Sequence, residues 1–179
     1  MILKGEKVIL RPVEPDDVER IVSHINDEEV RSYLQMVFPL NTTREQEWVE
    51  NLYKDQRNVV FGIVPRNNEV IVGTTGLHNI NWIDRVAEFG IVIFDKASWN
   101  MGFGTEATKL MLKYAFEHLN LHKVFLRVYE YNERAIHVYE KCGFKMEGRL
   151  RKQRFKWGKY HDVLIMGILD EEYFGSDET

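Results

Sequence analysis

Gly102-Phe103-Gly104-Thr105 stands at the start of the most strongly periodic apolar stretch in the chain. Two glycines let a backbone turn tightly and come close to a ligand. At a helix start, unpaired N–H groups and the helix dipole favour an anion. Phosphate or pyrophosphate is the chemistry this spacing serves, although a glycine pair before a helix is also found as a plain turn. Gly102-x-Gly104-x-x-Ala107 formally satisfies a dinucleotide fingerprint, with Glu130 roughly twenty residues further on. Residues 94–101 intervene between the preceding strand-like run and the first glycine, however, and that fold needs a doubly wound parallel sheet. Metal chemistry is not expected. His118 and His122 are four apart, but no Glu follows His118. Cys142 is the single cysteine, so neither an internal disulfide nor a cysteine-based zinc site can form.

The elements that must position these residues follow from apolar spacing. Residues 7–13 read as a strand stopped by Pro12 and Pro15. Residues 16–25 read as a helix, with Val18, Ile21, Val22 and Ile25 on one face. Residues 30–41 are very apolar without a period; they read as a short helix or loop packed on the core, or as a pocket wall. Thr43-x-x-Gln46 has the form of a capping box for a helix burying Trp48, Val49, Leu52 and Tyr53. Strands are predicted at 59–64, 70–77 and 86–93, the first two joined by a Pro65-Arg66-Asn67-Asn68 turn. Residues 105–119 form the clearest helix, striped by Ala107, Leu110, Met111, Tyr114, Ala115 and Leu119. A strand at 123–128 precedes a helix at 132–142, with Asn132 at its N-cap and Gly143 just past its end. Residues 144–155 and 160–169 read as a hairpin across Trp157-Gly158. Consecutive early strands argue for antiparallel pairing, and the later strand–helix–strand unit for one parallel pair. The expected class is a mixed α/β sheet flanked by helices.

The chain has 179 residues, 44% hydrophobic and 29% charged, which fits one globular domain. The division read from the sequence is a domain at 1–170 and a loose acidic tail at 171–179. A net charge of −4 argues against a general nucleic-acid partner. No secretion-signal pattern or membrane-length apolar run is evident, so the expectation is a soluble cytoplasmic protein.

Four of these features coincide in order and resemble the GNAT superfamily of acetyl-CoA-dependent N-acetyltransferases. They are the strand Glu88-Phe89-Gly90-Ile91-Val92-Ile93, the loop Trp99-Asn100-Met101-Gly102-Phe103-Gly104-Thr105-Glu106-Ala107, the helix Asn132–Lys141, and Gly143-Phe144, which closes it. Within the superfamily the chain is similar to the branch holding ribosomal-protein N-terminal acetyltransferases and spermidine N-acetyltransferases. Two departures stand out: Trp99 where Gln or Arg is usual, and Asn100-Met101 in place of Gly-Lys, which removes a cation near the phosphates.

The resemblance implies a GNAT-like fold in which strand 86–93 splays from strand 123–128. It implies that acetyl-CoA lies in the gap on Ile91, Val92, Ile93, Met101, Gly102, Phe103, Gly104, Thr105 and Asn132. It assigns Tyr139 as the general acid that protonates the departing sulfur; on its residue pattern alone, Tyr139 is a core aromatic beside Ala135, Ile136 and Cys142. A phenol is protonated at neutral pH and can donate to a forming thiolate. Glu88 is the candidate base, acting through water, or else an exposed strand glutamate; His78 is the second choice. The basic cluster Arg149, Arg151, Lys152, Arg154, Lys156 and Lys159 is read as a charged strand edge, or as a contact for an acidic partner or the CoA 3′-phosphate.

The resemblance implies a primary amine as the acceptor. A lysine-like amine costs about 4–5 kcal/mol to deprotonate at pH 7, an α-amine only about 1 kcal/mol. Spermidine enzymes of this branch carry an acidic patch where this chain has Leu34-Gln35-Met36-Val37-Phe38. The expectation is therefore a peptide or protein N-terminal amine, with Tyr33, Met36, Phe38 and His78 on the substrate side. A polyamine or other small amine is the alternative, and a CoA-binding sensor without chemistry a further one. Such families are commonly dimeric, so a homodimer is expected.

Overall fold

A computed structural model describes residues 1–175 of the chain. Eight strands form one sheet in the order β1-β2-β3-β4-β5-β6-β8-β7. They are β1 (Leu3–Lys4), β2 (Val8–Arg11), β3 (Val59–Pro65), β4 (Gly73–Asn81), β5 (Val86–Ile93), β6 (Lys123–Tyr129), β7 (Lys145–Lys156) and β8 (Lys159–Leu169). The helices are α1 (Val18–Ile25), α2 (Glu28–Ser32), α3 (Thr42–Asn51), α4 (Phe103–Lys113), α5 (Glu133–Lys141) and α6 (Asp170–Gly175). Every pairing is antiparallel except β5 with β6. None of the described helices is long and apolar enough to cross a membrane.

The β5–β6 pair decides the site. It holds only from Val86↔Lys123 to Glu88↔Phe125. Beyond that, β5 stays on β4 and β6 stays on β8, so the two strands part. The residues of β5 face two cores. Ala87, Phe89, Ile91 and Ile93 pack on the side shared with α4 and α5, while Val92 packs on the side shared with α1 and α3. Burial of these two apolar layers fixes which side chains enter the gap and from which face.

Several elements depart from the sequence reading. The clearest helix begins two residues early, at Phe103, because Gly102 takes a left-handed conformation (φ +83°) that lets the chain turn in at once. Its last predicted turn, Tyr114–His118, is a π-helix. The cap of α3 is Asn41, whose side chain accepts from the Arg44 N–H at 2.9 Å, so Thr43 and Gln46 lie inside the helix. Trp48 is exposed rather than buried, and so is much of Tyr53. The Tyr53 hydroxyl instead accepts from the Val13 N–H (2.8 Å) and donates to the Val60 carbonyl (3.1 Å). The second early strand starts at Gly73, leaving Val70 in the approach to it, and runs on to Asn81 past an irregularity at His78. The presumed tail begins as a helix, α6: Glu172 accepts from the Leu169 N–H and pairs with Lys145 at 2.6 Å. The remainder of that tail, 176–179, lies outside the described residues. The 65–68 turn, the Asn132 cap and the Trp157-Gly158 hairpin form as read, with positive φ at Trp157, Gly158 and Gly143.

Candidate active site

A cavity of about 430 Å³ fills the gap where β5 and β6 separate. Its floor is the end of β5, one wall is the Trp99–Thr105 loop with the start of α4, and the other is the inner face of α5. The loop is fastened to β5 by the Trp99 indole N–H, which donates to the Ile93 carbonyl at 2.7 Å. It is fastened to the β1–β2 turn by Glu106, whose carboxylate accepts the N–H groups of Glu6, Lys7 and Val8 at 2.7–2.9 Å. The first N–H groups of α4 have no helical partner and lie at the positive end of its dipole, beside the cavity. That is a cradle for an anionic group, which a pyrophosphate fits.

Of the residues expected to hold acetyl-CoA, Ile91, Val92, Ile93, Gly102, Phe103, Gly104, Thr105 and Asn132 line the cavity. Met101 does not: its side chain is exposed and its carbonyl accepts from Lys7 Nζ at 3.2 Å, on the outer side of the loop. Asn132 caps α5 by accepting from the Ala135 N–H.

Tyr139 is a core aromatic that also reaches the cavity wall. It is 7% exposed, packed edge-on against Phe89 (6.2 Å between centroids) and against Phe144 (5.8 Å), yet it also lines the cavity. Its hydroxyl makes no hydrogen bond with the described residues. Burial pushes its pKa far above the usual 10.0, with the nearby Cys142 adding to the rise.

Glu88 and His78 do not line the cavity. They face each other across β4 and β5, on the side of β5 away from Phe89. Glu88 forms a 3.4 Å ion pair with Arg127, which does line the cavity. The His78 ring lies against two glycines: a Cβ on Gly76 or Gly90 would sit 3.2 or 3.4 Å from its Nε2. Burial lowers the His78 pKa, opposed by the charge of Glu88.

On the substrate side, only Tyr33 of the predicted 33–38 set lines the cavity. Met36 packs on the second core and Phe38 points to solvent, 73% exposed, so neither forms its wall. Leu34 and Gln35 take that place. The segment is pinned from far away. Arg154 donates to the Leu34 carbonyl at 2.9 Å while lying over the Tyr129 ring, and Tyr131 donates to the Ser32 carbonyl at 2.8 Å. Part of the basic hairpin is thus inward-facing clamp rather than charged edge. Arg149 is held by Glu130 and Asp162. Leu34 and Gln35 fall in the segment read as a possible pocket wall; lining residues that the sequence did not single out include Arg127, Tyr129, Arg134, His137 and Lys141, and no local pattern marks them. Of the two spaced histidines, His122 pairs with Asp170 at 3.0 Å and His118 packs on Tyr114.

The sequence matches the family model described as an acetyltransferase (GNAT) domain over residues 7–145. The chain belongs to the GNAT acetyltransferase family. It is similar to the spermidine N(1)-acetyltransferase of Vibrio cholerae, with 33% identity over 97% of this chain and 99% of that one. It is 28% identical to a Bacillus subtilis protein provisionally named as a ribosomal N-acetyltransferase, over 96% of each. The crystal structure of the Vibrio cholerae spermidine N-acetyltransferase with CoA and spermine superposes with a TM-score of 0.86, at 31% identity, covering 95% of this chain and 99% of that one. The protein is accordingly an acetyl-CoA-dependent N-acetyltransferase.

Proposed function

We propose that the acetyl group passes directly from the thioester to a primary amine in one ternary complex, with Tyr139 as the acid. The amine nitrogen forms the new bond to the acetyl carbon, the carbon–sulfur bond breaks, and Tyr139 delivers a proton to the sulfur. The supporting observation is a buried phenol, without a hydrogen-bond partner among the described residues, that lines the cavity in which the strands part. Its raised pKa keeps it protonated until sulfur takes charge, and makes the phenolate recapture a proton at once. The acceptor enters from the Glu88 side of β5. Its proton leaves through water to the Glu88–His78 pair, with Arg127 holding Glu88 in place.

For the acceptor we infer a small aliphatic amine of the spermidine class. The full-length similarity to a spermidine N(1)-acetyltransferase supports it over the N-terminal amine favoured by the apolar 34–38 segment. One observation keeps the N-terminal amine as a second reading. Among the described residues no carboxylate lines the cavity, whose acceptor side carries Gln35 and Arg127 instead, whereas a polycation needs carboxylates nearby. Mass spectrometry of spermidine, spermine and peptides with varied N-termini, incubated with the protein and acetyl-CoA, separates the two. Acetylated spermidine with unmodified peptide is expected; acetylated peptide with unmodified polyamine would reverse the order of the readings.

A further inference from the structure

By the resemblance, the glycine loop carries Trp99 where Gln or Arg is usual and lacks the Lys expected at position 101, where Met101 stands. Arg134 fills the deficit in space. It is the second residue of α5, and its guanidinium carbon lies 3.8 Å from the centroid of the Trp99 ring and 5.6 Å from that of Tyr33. Trp99 is itself fixed, by its bond to the Ile93 carbonyl and by the edge of Tyr33 at 6.4 Å. Arg134 lines the same cavity as Gly102 and Gly104. Arg11, Arg20 and Arg149 each hold a carboxylate, but Arg134 has no ion pair or hydrogen bond with any described residue. A stacked guanidinium keeps its planar fan of N–H donors free for an oxyanion.

We propose that Arg134 binds the pyrophosphate of CoA, replacing the cation that the loop lacks at position 101. The other cavity cations are less suited. Arg127 holds Glu88, and Lys141 lies seven residues along α5, about 10 Å from Arg134 at 1.5 Å per residue. Lys7 approaches the loop, but its ammonium holds the Met101 carbonyl and does not line the cavity. The aromatic surface at position 99 therefore has a role: it holds in place a cation supplied from another element.

The test is calorimetric titration of the full-length protein and its Arg134→Gln variant with CoA and 3′-dephospho-CoA, alongside an NMR titration with pantetheine. Arg134 is exposed on the helix, and thermal unfolding checks that the variant is folded. The expected result is about tenfold weaker binding of both CoA forms, equivalent to about 1.4 kcal/mol, with pantetheine binding unchanged. Arg134→Lys should recover part of the loss, and Trp99→Leu, which removes the stacking surface, should weaken the same two ligands. The difference between wild type and Arg134→Gln should shrink as salt is raised. Three outcomes would overturn the assignment. Equal affinity for CoA means that no phosphate is bound. A loss seen with CoA but not 3′-dephospho-CoA puts the guanidinium on the 3′-phosphate. An equal loss with pantetheine makes Arg134 part of the wall.

Discussion

Replacing Tyr139 by Phe removes one oxygen and nothing else. The ring remains wedged between Phe89 and Phe144 and fills the same volume. The hydroxyl makes no hydrogen bond with the described residues, so its removal orphans no partner, and stability should change by less than about 0.5 kcal/mol. Truncation to Ala would instead open a cavity and cost about 3–5 kcal/mol, which is why Phe is the informative substitution. Turnover should fall far more than stability. A positioned general acid contributes about 10²–10⁴-fold, or roughly 3–5 kcal/mol of barrier. Thiol release measured continuously should report this as a fall in kcat, while calorimetry shows acetyl-CoA affinity preserved. The pH dependence gives a second check. Because burial raises the Tyr139 pKa above 10.0, the folded chain keeps this proton where the unfolded chain has lost it. This group therefore lowers stability only as pH climbs above 10, and it produces no alkaline fall in kcat below that point. Turnover within about threefold of wild type would refute the acid role. A wild-type alkaline limb near about pH 8–9 that disappears in the Phe variant would instead keep the acid role and refute the desolvation of the hydroxyl.

Two further outcomes are expected. Gly102→Ala should destabilise by about 1–2 kcal/mol, because φ is +83°, and should weaken acetyl-CoA binding; the new Cβ meets only the movable end of Lys7, so an unfolding curve identical to wild type would contradict the backbone argument. His78→Gln should flatten the pH dependence of stability on the acid side. Burial lowers the His78 pKa below 6.5, so the unfolded chain binds the extra proton and wild-type stability drops as pH falls through that value; parallel wild-type and variant profiles between about pH 5 and 7 would show that the ring is not desolvated.

Local rules were enough for a large part of this protein. The alternation of β5, the stripe of α4, the Asn132 cap and the Gly143 exit each rest on contacts within a few residues, and a sequence displays these directly. The glycine pair signalled the left-handed turn into α4 for the same reason: a turn followed by free helical N–H groups is a short-range property. Tyr139 could be placed on an apolar face but not at a cavity, since its burial and its open hydroxyl depend on where β5 leaves β6.

Whatever depends on long-range pairing was decided only by the tertiary structure. The gap opens at Phe89 because β6 is drawn onto β8 while β5 remains on β4, and nothing within either strand specifies that parting. Arg154 fixes Leu34 across 120 residues, and Glu106 gathers three N–H groups nearly 100 residues away. Phe38 and Met101 have suitable side chains at suitable sequence positions, yet they point elsewhere, because a wall is chosen by the direction of the chain and not by its composition. Arg134 is one surface arginine among many until α5 carries it over Trp99. Apolar spacing and turn residues carried most of the elements, the turn at Gly102 and the family; the fold chose which side chains share the cavity, because spacing sets a residue's face while only packing sets what that face meets.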